Sequence, residues 1–158
     1  MQEILRYRQT LLDRLEIIVD DLRSAWAAIP PSAQMARRSP GAPSPLQILA
    51  HLQAVESQAF AVRLRRILDE NCPSFELFDD EQWLAQHPPA AGDGAALLDD
   101  YARLRAEELR WLRPLPPSAW NRLARHPWHG LRTLQWWVEQ CLQHAQNHLD
   151  ELSGKELS

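Results

Sequence analysis

The chain has 158 residues, enough for about one domain with one proper core, and it is read as a single domain over residues 1–158. A net charge of −4 argues against a nucleic-acid-binding surface. No apolar run approaches the ~18 residues of a membrane span, so the expected partners exclude both nucleic acid and membrane.

Met1 to Arg6 mixes charged and apolar residues at helical spacing, without the apolar core of a secretion signal. Two cysteines, Cys72 and Cys141, do not form a disulfide framework, and a reducing, cytoplasmic setting is expected. Leu, Ala, Arg and Glu dominate, Gly is scarce, and no stretch alternates with a strand period. The expected fold class is all-α.

Prolines and glycines divide the chain into four long helices. The first spans about Gln2 to Ile29, with Leu5, Leu12, Leu15, Val19, Leu22, Trp26 and Ile29 at three- and four-residue intervals, and ends at Pro30 and Pro31. The second starts with Ser44 as N-cap and Pro45 at the first helical position, and continues to about Glu70. Residues 71–94 form a long connection with a short helix begun by Asp79 or Asp80 and carrying Trp83. The third helix covers about Ala95 to Arg113, with Leu98, Tyr101, Leu109 and Leu112 among its apolar positions. An irregular stretch from Ser118 to Arg132 precedes a fourth helix, capped by Thr133 and lasting to about Leu152. Four such helices with long connections predict a four-helix bundle with crossovers.

Three of the six histidines fall on core-facing stripes. On the fourth helix Leu134, Trp137, Val138, Cys141, Ala145 and Leu152 form the apolar face, and His144 and His148 lie within it, one turn apart. On the second helix His51 shares a face with Ile48, Ala54, Val55, Ala59 and Val62. Buried imidazoles must be hydrogen-bonded or ligated, because an unpaired polar group costs on the order of 1–3 kcal/mol. At 1.5 Å per residue His51 lies about 10 Å past the start of its helix, and the other two lie roughly 6–12 Å before the end of theirs. Antiparallel second and fourth helices therefore bring the three rings to one level near one end of the bundle.

Other residues have structural readings. Cys141 is core filler one turn before His144. His126, His129 and His87 are read as exposed loop residues. Trp136 and Trp137 cannot both face the core, so one lies at an interface or under a loop. Trp83 and Trp120 anchor the long connections. Arg63, Arg65 and Arg66 form a solvated face, and Asp79, Asp80 and Glu81 read as a helix start rather than a carboxylate metal site.

Several segments together resemble a known family. Ser44 to Leu52 with its single His51, Leu97 to Arg105, and Trp120 through His126, Pro127, Gly130, Thr133 and Leu134 to His144 and His148 are similar to the DinB-like or YfiT-like superfamily, unrelated to the DNA polymerase that shares the DinB name. The resemblance implies that His51, His144 and His148 ligate one divalent metal ion, with zinc, nickel and iron all suited to imidazole. Three imidazoles leave an open position, as in catalytic rather than structural zinc sites. Relatives that use low-molecular-weight thiols imply a transferase-like enzyme in which the metal activates a thiol, or water, for transfer to a small-molecule substrate. The alternatives are a metal-dependent hydrolase, or a non-catalytic bundle or dimerisation protein whose metal site is structural or a relic. The resemblance and the surplus aromatic residues point to a homodimer.

Overall fold

The computed structural model describes residues 1–155 and contains four long helical segments, as the sequence predicts. Helix α1 covers Gln2–Ala27. The second segment is α2 (Pro45–Val55), a π-helical turn (Glu56–Phe60) and α3 (Ala61–Asp69) in unbroken succession. A short α4 (Asp80–Gln86) lies in the connection to α5 (Gly94–Leu112), and α6 covers Leu134–Leu152. No described helix is long and apolar enough to cross a membrane.

The stretch expected to be irregular instead holds a two-stranded antiparallel sheet, β1 (Leu123–His126) and β2 (Gly130–Thr133). Leu123 pairs with Thr133 and His126 with Gly130. Gly130 has φ +70°, a conformation glycine adopts without steric cost, and this closes the hairpin. Each strand has only four residues, too few to show an alternating pattern.

Both α1 and the second helical segment pack against α5 and α6. Cross-helix contacts set the directions. Arg8 Nε donates to Gln135 Oε1 at 2.8 Å near the start of α6, while Leu22 and Ile29 share a cluster with Leu152 at its end, so α1 and α6 are parallel. Arg113 bonds Asp13 and Arg23 bonds Asp99, so α1 and α5 are antiparallel. Ile48 and Leu49 join Leu98 and Tyr101, whereas Arg65 stacks on Trp111, which makes the second segment parallel to α5. His51 meets His148 and Arg63 meets Trp137, so the second segment and α6 are antiparallel, as expected. The order is up, down, down, up. Two successive parallel helices need a connection running the length of the bundle, which accounts for the long segment carrying α4.

The π turn changes which residues of the second segment are buried. In a straight α-helix the ladder Leu52, Glu56, Phe60, Leu64 drifts by about 40° per step. One inserted residue turns the following stretch back by about 100°. Phe60, Leu64 and Ile67 thereby face the core, and Val62, expected on the His51 face, is 46% exposed.

Buried residues form two apolar clusters. One gathers Leu11, Leu15, Phe60, Leu64, Leu112, Leu134 and Trp137, and the other Leu22, Ile48, Leu52, Leu98, Tyr101 and Leu152. Between them along the helices lie Glu56, Arg105 and Glu108, all buried. The Arg105 guanidinium donates to Glu56 Oε1 (3.1 Å), Glu108 Oε1 (3.1 Å), the Tyr101 hydroxyl (2.8 Å) and the Leu15 carbonyl (2.8 Å).

Candidate metal centre

The helix starts fix where the histidines point. Ser44 and Gln47 form a reciprocal capping box on α2, with Ser44 Oγ accepting from the Gln47 amide (3.2 Å) and Gln47 Oε1 from the Ser44 amide (2.8 Å). Pro45, at the first helical position, adds a preset φ. His51 follows in the second turn. On α6, Thr133 Oγ1 accepts from the Trp136 amide (3.2 Å), and His144 and His148 project from the face that buries Cys141, Ala145 and Leu152.

The three expected residues converge. His51 Nε2 and His144 Nε2 are 3.1 Å apart. Ring centroids are separated by 5.1 Å for His51 and His144, and by 4.6 Å for each of the other two pairs. One ring nitrogen from each residue lies within 4.8 Å of the others. Ligands at about 2.0–2.1 Å in a tetrahedral arrangement stand about 3.3 Å from one another, so the closest pair already has nearly that spacing.

Two rings are oriented by carboxylates. His51 Nδ1 lies 2.7 Å from Asp80 Oδ2, and His148 Nδ1 lies 3.4 Å from Glu151 Oε1. With a proton held on Nδ1 by its acceptor, the Nε2 lone pair faces the centre, the tautomer selected at carboxylate–histidine metal sites. His144 Nδ1 is buried without a partner among the described residues, and the Phe60 ring stands 5.5 Å away. Burial above all, then the neighbouring His148 and His51, holds the His144 pKa down to about 3. Burial and His51 also lower that of His148. Both rings are neutral at neutral pH, the form that binds metal. The donor set therefore fits a single divalent ion better than a hydrogen-bonded core.

A cleft of about 660 Å³ opens beside His51 and His148, lined also by Gln47, Glu151 and Arg37, and by Leu84 of α4. Arg38 closes the adjoining end of α6, donating to the Glu151 and Leu152 carbonyls at 2.7 Å each.

Glu56 Oε2 and Glu108 Oε2 are both buried without a donor among the described residues. Burial, and next to it the charge of Glu56, pushes the Glu108 pKa well above the carboxylate range. A proton kept on Glu108 gives these two oxygens a bond to share and leaves Arg105 balanced by one charge. Burial, with Glu56 and Glu108 nearby, also pushes the Cys141 thiol up. Cys141 is therefore a neutral core residue, as expected.

Two residues depart from expectation. His126 is 6% exposed, because its Nδ1 accepts from the Trp128 and His129 amides (3.1 and 3.2 Å) and so organises the hairpin turn. Arg63 is half-buried over the Trp137 and Phe75 rings rather than solvated. His129 and His87 are exposed, and Trp136 lies under the hairpin, 5.1 Å from His129. Trp120 is buried and Trp83 is half-buried against His87. Asp80 and Glu151 as histidine partners, and the Glu56–Arg105–Glu108 layer, are not foreseen from the sequence pattern. Glu151 was signalled by its place three residues after His148. Asp80 had no local signal.

Fold and site together define a helical bundle with a three-imidazole centre at one end. Residues 12–152 match the profile of the DinB superfamily, and the chain belongs to that family. Among solved structures it is similar to YfiT from Bacillus subtilis, described as a probable metal-dependent hydrolase with an unusual four-helix bundle topology. That likeness has a TM-score of 0.83 and 20% identity, over 94% of this chain and 89% of that one. It is also similar to TT2238, described as a four-helix bundle protein, with a TM-score of 0.66 and 23% identity over 94% of this chain and 99% of that one. None of the curated proteins matches.

Proposed function

We propose that the protein is a metal-dependent enzyme holding one divalent ion on the Nε2 atoms of His51, His144 and His148, and acting on a small molecule in the adjoining cleft. The observation that carries this reading is the convergence of three imidazoles, two oriented by carboxylates, beside an open cleft. When bound, such an ion lowers the pKa of a water or thiol toward neutrality. His144, neutral and half-buried, would contribute a lone pair from behind, while His51 and His148 border the cleft and set which side stays open. Asp80 and Glu151 hold their rings in the metal-binding tautomer.

In the leading version the nucleophile is a low-molecular-weight thiol, following the family resemblance. Hydrolysis by activated water is the second version, supported by the description of YfiT. Metal analysis of tag-free protein should give one ion per chain, lost in His148→Ala. Transfer to a chromogenic electrophile that needs both metal and an added thiol supports the first version. Metal-dependent turnover without thiol supports the second. A chain that binds no stoichiometric metal defeats both.

A further inference from the structure

The strap helix α4 has an attachment that its sequence does not explain. It is seven residues long and has no buried residue. Helices this short do not persist in water on their own, so packing or bonding to the bundle must hold it. Among the described residues, only one hydrogen bond links it to another element, from His51 Nδ1 to Asp80 Oδ2 at 2.7 Å. The remaining polar contacts are local: Asp79 caps the Gln82 amide at 3.0 Å, and His87 bonds the Trp83 carbonyl at 2.9 Å. From the same helix Glu81, Leu84 and Ala85 line the cleft.

We propose that Asp80 is a positioning residue of the metal centre, and that its bond to His51 ties the strap helix, and with it one wall of the cleft, to metal loading. The proposal rests on the three-histidine reading above. An ion on Nε2 withdraws charge from the ring and strengthens Nδ1–H as a donor, so the bond to Asp80 is stronger in the loaded protein. By linkage, a docked strap must then raise metal affinity by the same factor that metal raises the population of docked strap. Asp80 also presets the His51 tautomer, which the helix start alone does not fix. Loading the site therefore raises the share of chains in which the α4 wall of the cleft is docked.

Hydrogen exchange of the full chain, with and without one equivalent of zinc, tests this together with zinc titration against a chromophoric chelator. In the native sequence zinc should slow exchange of the amides of residues 80–87. Asp80→Ala should abolish that response and weaken zinc by roughly 10–100-fold, with exchange in α5 unchanged as the control for folding. Asp80→Asn keeps an acceptor oxygen without the charge and should fall between. The proposal is overturned if zinc binds and is lost in His148→Ala while exchange at 80–87 does not respond. It is equally overturned if Asp80→Ala binds zinc as tightly as the native chain. If the native chain takes up no zinc at all, the three-histidine reading itself fails, an outcome distinct from the other two.

Discussion

Mild acid should destabilise the metal-free protein, chiefly through His144. In the fold its imidazole stays neutral down to about pH 3, because charging it means desolvating a cation beside two other histidines and near Arg105. In the unfolded chain the same ring titrates near 6.5. The unfolded state therefore binds a proton that the native state refuses, and stability falls as pH drops below about 6.5, continuing toward about 3. Each pH unit in that window is worth about 1.4 kcal/mol per refused proton. At pH 5 the full linkage is about 2 kcal/mol, and because the cleft leaves the cluster partly solvated the expected loss is about 1–2 kcal/mol. His148, also held below its usual range, acts in the same direction.

Urea unfolding followed by tryptophan fluorescence at pH 7.5 and pH 5.0, with a chelator present, measures this directly. His144→Gln is uncharged at both values, so its stability should fall less than that of the native chain, by about 1–2 kcal/mol. Parallel losses in the two proteins would refute the assignment of a half-buried neutral ring. Adding metal should steepen the pH dependence of the native chain only, since protons then compete for the ligands as well.

Two further pairs of substitutions probe the interior. Glu108→Gln preserves the shape and the donor of a protonated Glu108, so its unfolding free energy at pH 7 should stay within about 1 kcal/mol of the native value. Arg105→Met strands Glu56 without its cation and should cost about 3–5 kcal/mol by denaturant titration. The re-phased second segment predicts the opposite ranking from the sequence pattern at two apolar positions. Phe60→Ala should cost about 3–5 kcal/mol, whereas Val62→Ala should stay within about 0.5 kcal/mol, both read from thermal or urea melts.

Much of the fold was legible because its signals are local. The Ser44–Pro45 start, the Thr133 cap and the proline terminators depend on a few adjacent residues, and the observed helices begin and end within a few residues of the expected places. The three histidines were legible because each stands on or beside an apolar stripe, and helical rise fixes their depth. The π turn was not, since an i, i+4 series of buried residues looks the same until burial at Phe60 and exposure at Val62 reveal the slip. Arg105 and Glu108, three residues apart, look like an exposed helical ion pair. Their burial depends on Glu56, a partner 49 residues away from Arg105. Asp80 meets His51 across 29 residues, through a connection whose path no local rule fixes.

The topology explains why the site combines such distant residues. Because the second segment and α5 run parallel, the chain must return along the bundle from Asp69 to Gly94, passing the end where His51 and His148 lie. That obligatory crossing supplies the cleft wall and Asp80. The π turn acts at the next level down the axis. Its first residue, Glu56, enters the Arg105 layer, and its last, Phe60, is turned toward His144. One inserted residue thus seals the apolar core below the histidines while the charged layer remains balanced. A straight helix would send Phe60 away by about 100° and take its ring off His144. The His144 ring would then lose part of the burial that is the largest cause of its lowered pKa, so that lowering depends on the π turn as well as on the neighbouring rings.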